Sequence, residues 1–321
     1  MIKQYHPYAA INNNEAVRMA SSSGGVFTLI AEDVLAKGGA VFGAGWDPDM
    51  HLTHICVEQA EDLAKLRGSK YVRSQLGDSY AKAKEMLDAG RPVLFSGTPC
   101  QLAGLRNYLD QDYPHLISQD IICHGAPMPQ VWEKYLRFRE AKAGAKATAV
   151  SFRDKSTGWS NYSVRMDFQN GATYRCTAKK DPYMRAFLQD LTLCDSCYLC
   201  KWKNRLRLTD ITLADFWGIQ QTLPQMDDDK GTSLVFANTP KGMALLESLQ
   251  DRLTLMEADT KVALDNNLAM VRSASKPADR AAFLQELNES NFQTLTDKFR
   301  PQPSFWQKLK RKAKGLLGKS R

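Results

Sequence analysis

Short strand-like apolar runs alternate with longer helical ones along this chain, and their order predicts an α/β fold. Residues 1–20 are polar, and Asn12 to Asn14 reads as loop. Ser21 to Gly25 is a small-residue turn opening an apolar helix that runs to Leu35; serine is a good N-cap, and the free amides of a helix start attract anions. Gly38 to Trp46 reads as turn then strand, and His51 to Gln59 as a second strand pairing back across Asp47 to Asp49. Helical stretches follow at Glu61 to Leu66 and at Asp78 to Ala89, the latter closed by Gly90. Arg91 to Arg106 reads as strand, loop and helix, and Ile117 to Cys123 as a buried strand. In the next helix, Val131 to Ala141, the residues Trp132, Tyr135, Leu136 and Phe138 recur at helical spacing and read as a core stripe.

From about Ala149 the pattern turns to β. Val150 to Arg153, Tyr162 to Phe168 and Ala172 to Thr177 read as strands, the last two joined by Asn170-Gly171, a pair suited to the positive φ of a type I′ turn. A helix is predicted over Asp181 to Leu191 and strands over Thr209 to Phe216 and Leu234 to Asn238. A further helix is expected over Pro240 to Leu253. The predicted architecture is a mixed sheet flanked by helices, in two closely packed modules over 1–90 and 91–257. A helical extension over 258–303 and a basic amphipathic tail helix over 304–321 complete it.

At 43% hydrophobic and 24% charged residues, the composition is that of a globular protein with a sizeable core. No stretch approaches the ~18 apolar residues of a membrane-spanning helix, and the N-terminus has no apolar signal core. The net charge of +8 changes meaning once located: the tail from Ser304 to Arg321 holds seven basic residues and no acidic one. The remainder is nearly neutral, so the charge does not argue for a nucleic-acid-binding domain. In the tail, Phe305, Trp306, Leu309, Ala313, Leu316 and Leu317 share one helical face, as in a helix lying on an anionic membrane surface.

Seven cysteines, an odd and clustered set, fit reduced cytoplasmic thiols better than a disulfide framework. Cys194, Cys197 and Cys200 follow one another at two-residue gaps and precede the cations Lys201, Lys203, Arg205 and Arg207, which favour thiolates. Cys100 and Cys123 each end a strand-like run, where open α/β sheets carry their chemistry. Thiols so placed can converge on an iron–sulfur site or on a structural zinc, the latter giving a zinc-stapled, non-catalytic module that docks on membranes. Cys56 and Cys176 read as plain buried thiols. A third chemistry is a phosphatase loop with Cys100 as nucleophile and Arg106 on phosphate. Against it, Gln101 to Leu105 has the composition of a helix. Upstream, Arg67 to Ser74 is a loop with three cations, two serines and a tyrosine, equipped for an anionic cofactor or simply solvated.

Eight stretches in sequence resemble the coenzyme F420 hydrogenase/dehydrogenase beta-subunit family. They are Ser22 to Phe27, Gly68 to Val72, Leu94 to Gln101, Asp120 to Gly125, Ser196 to Cys200, Asp210 to Thr212, Asp215 to Gly218 and Gly231 to Ser233. The resemblance spans roughly residues 18–260 and implies an iron–sulfur flavoprotein oxidoreductase. Carried onto this chain, it implies a 4Fe–4S cluster on Cys100, Cys123, Cys197 and Cys200, with Cys194 as the rival ligand. It also implies FAD on Ser22, Ser23, Gly24, Gly25, Ser69, Lys70 and Tyr71. His124, beside Cys123, is the candidate proton donor. Family members often begin with a ferredoxin-like segment that is not present before Ser21, and no G-x-G-x-x-G fingerprint follows a strand. The expected redox partner is therefore a separate ferredoxin-like protein or subunit, and a small two-electron substrate is expected on the other side. The chain is expected in the cytoplasm, with a possible peripheral contact at the inner membrane face.

Overall fold

The structure is a computed structural model that describes residues 3–300. The basic stretch 304–321, and with it the membrane-surface expectation, lies outside the described residues. Among the described residues eleven strands form two sheets. They are β1 (Pro7–Asn12), β2 (Ala40–Trp46), β3 (Leu52–Val57), β4 (Val93–Gly97), β5 (Leu116–Ile121), β6 (Ala147–Asp154), β7 (Ser163–Phe168), β8 (Thr173–Thr177), β9 (Ile211–Asp215), β10 (Ser233–Ala237) and β11 (Leu253–Glu257). The large sheet has the order β11-β1-β10-β9-β5-β4-β2-β3, and the small one is the meander β6-β7-β8. The expected mixed α/β fold is therefore observed, and the large sheet draws strands from both sides of residue 90.

Within the large sheet, β2, β4, β5 and β9 pair in parallel. Strand β1 points the same way as β9, because both are antiparallel to β10. The C-terminal ends of these five strands share one edge, and the segments that leave β1, β4 and β5 there carry Ser22 to Gly25, Cys100, and Cys123 with His124. One sheet face packs Tyr8, Val41, Leu94, Leu213 and Val235 against the helix Val26–Ala36. On the other, Phe42 and Phe95 pack under the helices Ser79–Asp88 and Pro99–Leu109. The small sheet encloses its own core with the helices Pro129–Ala143, Pro182–Leu188 and Phe292–Lys298, centred on Trp132, Tyr135, Phe152 and Tyr183. Among the described residues no helix is long and apolar enough to cross a membrane.

Two predicted boundaries are corrected. Residues 7–12, read as part of a polar stretch with loop from Asn12, form a nearly buried inner strand, since β10 and β11 flank it and small Ala9 and Ala10 fit between the layers. The helix expected over Pro240 to Leu253 ends at Ser248, and Leu253–Glu257 pairs with β1 as an edge strand.

Strand β1 also anchors the Ser21–Gly25 turn: the Asn12 amide donates to the Gly24 carbonyl at 2.8 Å and Asn12 Nδ2 to the Gly25 carbonyl at 3.2 Å. A Cβ at Gly24 would stand 2.2 Å from the Ala10 carbonyl oxygen and 2.7 Å from the Ser233 amide nitrogen. Gly24→Ala is expected to destabilise the fold by about 1–3 kcal/mol, the usual cost of overpacking. A urea midpoint lowered at constant m-value would show this; an unchanged midpoint would mean that the turn can lift off the sheet.

Candidate functional site

Three backbone segments meet beyond the C-terminal edge of β4 and β5. Cys100 is the second residue of the helix Pro99–Leu109, whose start is fixed by Thr98 and Gln101 in a reciprocal capping box. Cys123 lies two residues past β5, where the chain turns toward Pro127. An isolated antiparallel bridge joins Pro127 to Leu193, and the Cys194 amide donates to the Ala126 carbonyl at 2.9 Å. This places the short helix Asp195–Tyr198 against the Cys123 loop, and the Ala126 amide donates to Cys197 Sγ at 3.4 Å.

The thiols of Cys100, Cys197 and Cys200 are electrostatic neighbours of Cys123, and Cys197 likewise feels Cys194, Cys100 and Cys200. Burial pushes the Cys123 thiol up to about 12, Lys203 pulls it down, and the neighbouring thiols push it further up. Burial also raises the Cys197 thiol, against the Ala126 amide, which favours the thiolate. Lys203 clamps the loop, with Nζ donating to the carbonyls of Cys123 and, at 2.9 Å, of Ala269. Cys194 is buried in another setting, raised by burial and opposed by the guanidinium groups of Arg73 and Arg280. Among the described residues no three His, Cys, Asp or Glu side chains are gathered tightly enough for one metal ion. Cys56 and Cys176 lie on β3 and β8 and are half-buried, not buried as expected, because neither strand is covered on both faces there.

The two stretches expected to bind an anion are joined: the Ser69 amide donates to Ser22 Oγ at 2.6 Å. Gly25, at φ +84°, sits in the left-handed region that lets the turn enter the helix Val26–Ala36. Other donors are engaged within the protein. Ser23 Oγ donates to the Thr232 carbonyl, and the Gly24 amide to Ser233 Oγ. Lys70 Nζ donates to the carbonyls of Leu66, Arg67 and Gly68, each at 3.1 Å, and burial lowers its pKa to about 7. Tyr71 stacks on Phe187 at 4.9 Å. His124 Nε2 lies 2.5 Å from Asp190 Oδ1, with its ring edge on Phe187.

Two residues unremarked in the sequence complete this region. Arg153, on β6, forms a two-pronged pair with Asp215 at 2.6 and 3.2 Å, and it reaches the Tyr71 hydroxyl and the Ser22 carbonyl at 3.4 Å. Lys155 is buried, with Nζ on the carbonyls of Arg18, Ser23 and Lys230. Burial pushes its pKa down to about 7, helped by Arg18 and Arg153, although three carbonyls at 2.6–2.9 Å favour the ammonium. Trp159 stacks on Trp217 at 4.6 Å beside them. In sequence, Arg153 and Lys155 look like ordinary polar positions at a strand end; only the docking of the small sheet reveals them.

The family model for the C-terminal part of the coenzyme F420 hydrogenase/dehydrogenase beta subunit matches residues 90–261, more than half of the chain. The chain belongs to this beta-subunit family. Membership gives it a hydrogenase/dehydrogenase beta-subunit type of redox role. Its fold is also similar to a chain of the xenon-derivatised F420-reducing [NiFe] hydrogenase complex from Methanosarcina barkeri. That match has a TM-score of 0.55 at 16% identity, over 84% of this chain and 91% of the other. No curated protein matches the sequence.

Cys100 is further held by a hydrogen-bonded chain reaching the family member's buried His54. Thr98 Oγ1 meets Cys100 Sγ at 3.1 Å and Gln101 Oε1 at 3.0 Å, and Gln101 Nε2 donates to Ser74 Oγ at 2.9 Å. Ser74 Oγ lies 3.0 Å from His54 Nδ1, and His54 Nε2 lies 3.1 Å from the Ser96 carbonyl. A carbonyl only accepts, so Nε2 carries the proton and Nδ1 accepts from Ser74. Burial lowers the His54 pKa to about 4, against the Ser96 carbonyl, with Lys70 adding to the fall. The folded state therefore refuses a proton that the unfolded chain takes up near pH 6.5, so this contribution is present above about 6.5 and is lost as pH falls toward 4. Its full size is up to about 3 kcal/mol. His54→Gln should flatten the fall in urea midpoint between pH 7 and pH 5; parallel losses in variant and wild type would show that His54 is not the responsible group.

Proposed function

We propose that the chain is an iron–sulfur flavoprotein oxidoreductase passing electrons between a ferredoxin-like protein or partner subunit and a small two-electron substrate. The observation that carries this is the approach of Cys100, Cys197 and Cys200 to Cys123 just beyond β4 and β5, with Cys194 next to Cys197. Cys100, Cys123, Cys197 and Cys200 would hold a 4Fe–4S cluster, and an all-thiolate set fits it. In such a cluster each thiolate has its own iron, so the sulfurs stand further apart than four held ~2.3 Å from one zinc. The redox role of the family favours the cluster over a zinc staple. The phosphatase alternative loses its loop, since Cys100 and Arg106 lie on one continuous helix.

Ser22, Ser23, Gly24, Gly25, Ser69, Lys70 and Tyr71 would hold FAD. The turn at Gly25 and the Ser22–Ser69 contact suit a phosphate near the backbone, and Arg153, its charge already met by Asp215, fixes the Ser22 carbonyl beside them. Lys70 would have to leave its three carbonyls to reach a phosphate. When bound, the cluster would exchange single electrons and the flavin would convert between one- and two-electron chemistry. His124, half-exposed and held at Nε2 by Asp190, would carry the proton for substrate at its other ring nitrogen, Nδ1. That the structural neighbour is a chain of a hydrogenase complex supports a partner subunit.

Anaerobic purification with iron, sulfide and flavin assays and an absorbance spectrum tests the assignment. Cys100→Ser, Cys123→Ser, Cys197→Ser and Cys200→Ser should each lose most of the iron, while Cys194→Ser keeps it. If Cys194→Ser bleaches the protein and Cys100→Ser does not, the ligands are the three contiguous cysteines instead.

A further inference from the structure

Among the described residues, six of the ten exposed large apolar side chains lie on the cysteine loop and the turn beside it. Within ten residues lie Leu199, 84% exposed, Trp202, Leu206, 59% exposed, and Leu208, 62% exposed. Leu268 and Val271 are exposed on the adjoining turn, which is tied to this loop by Lys203 Nζ on the Ala269 carbonyl at 2.9 Å and Ser273 Oγ on the Cys200 carbonyl at 3.4 Å. A single exposed leucine needs no explanation, whereas a contiguous group marks a contact surface.

The loop's four cations divide into two kinds. Lys203 and Arg207 are turned inward, Lys203 onto the Cys123 carbonyl and Arg207 onto the Trp202 carbonyl at 2.9 Å and toward Asp120 at 3.6 Å. Lys201 and Arg205 are exposed and have no ion pair among the described residues. Beside the loop a groove of about 730 Å³ separates it from the helix Pro99–Leu109, and Arg106, Lys201, Trp202, Leu206 and Leu208 line it. The free charge around this apolar surface is thus mainly positive.

We infer that this loop and groove are the docking surface of a protein redox partner whose contact face is acidic, with a few apolar residues at its centre. The inference rests on the proposed cluster: Cys200 opens the loop, and electron transfer weakens steeply with separation, so the partner must sit where the thiols come nearest the surface. Small apolar centres within a charged rim suit the modest, short-lived interfaces of electron-transfer proteins. A lipid surface would match the charge but gives no reason for the patch to sit beside the thiols.

The test uses the full chain, purified anaerobically, and a triple variant carrying Arg205→Glu, Leu206→Ser and Leu208→Ser. Iron, sulfide and flavin are measured first; their absence from wild type would overturn the proposed function itself and this inference with it. With cofactors present, the probe is a reduced, acidic 2[4Fe–4S] ferredoxin in stopped flow, with dithionite as the small reductant. The wild type should accept electrons from ferredoxin at a rate that falls with salt. The variant should be slower by about 10-fold or more at low ionic strength, as expected for reversing a rim charge and removing apolar contacts. Its cofactor content and dithionite reduction should be unchanged. Equal ferredoxin rates, a wild type that ferredoxin does not reduce, or a rate indifferent to salt would overturn the docking surface and leave the cofactor assignment standing. Binding of wild type but not variant to phosphatidylglycerol vesicles would assign the patch to lipid and overturn it as well.

Discussion

A buried ion pair, Arg153 with Asp215, joins the two sheets of this protein. Arg153 comes from the small sheet and Asp215 from the end of a central strand of the large one. A guanidinium only 3% exposed is tolerable because a carboxylate meets two of its nitrogens and the Tyr162 ring covers it at 4.0 Å. Removing either partner would leave a buried charge uncompensated, typically a loss of about 3–5 kcal/mol. The Ser22 turn, Tyr71 and the Trp159–Trp217 stack are all arranged around this pair, so the candidate cofactor loops depend on it for their relative position.

The thiol site is framed mainly by backbone. The capping box fixes Cys100, the Pro127–Leu193 bridge sets Cys123 beside Cys197, and Lys203 closes the loop that follows Cys200. Burial keeps Cys123 and Cys197 protonated, and each neighbouring thiolate would raise them further. Neutral thiols can be brought together cheaply, whereas a bound metal centre requires thiolates and so releases protons on binding. The frame accounts for how the thiols are gathered; the charge balance would come from the metal.

The groove has its own cause in the sheet. Over β5 and β9 one face is polar: Thr212 Oγ1 donates to Asp120 Oδ1 at 2.6 Å, and Asn238 Nδ2 to Thr212 Oγ1 at 2.9 Å. Burial raises the Asp120 pKa to about 6, while Arg207, Thr212 and Thr209 act to lower it. The apolar cores under Phe42 and under Phe236 lie to either side of this strip. A strip of buried polar side chains offers little to an apolar helix face, and the groove opens beside it.

Much of the architecture could be read from the chain because local periodicity reports it. The short apolar runs of β2, β4 and β5, the hairpin at Asn170-Gly171 and the helix stop at Gly90 are each set by a few neighbouring residues, although Gly171 alone of that pair has the positive φ expected of both. The family, too, was legible, through ordered short stretches around Cys100, Cys123 and Cys197. Strand β1 was not, since Pro7 to Asn12 has no β-branched bulk beyond Ile11 and is a strand only because β10 and β11 hold it. Likewise Leu253–Glu257 reads as a helix end until β1 pairs with it. Which thiols are neighbours, that Ser22 meets Ser69, and that Arg153 and Lys155 border the same region were decided by tertiary structure. The reason is physical: periodicity encodes which face of an element is buried, but contacts between residues 47 to 132 positions apart follow from how the sheets and loops dock, and that is a property of the whole packed chain.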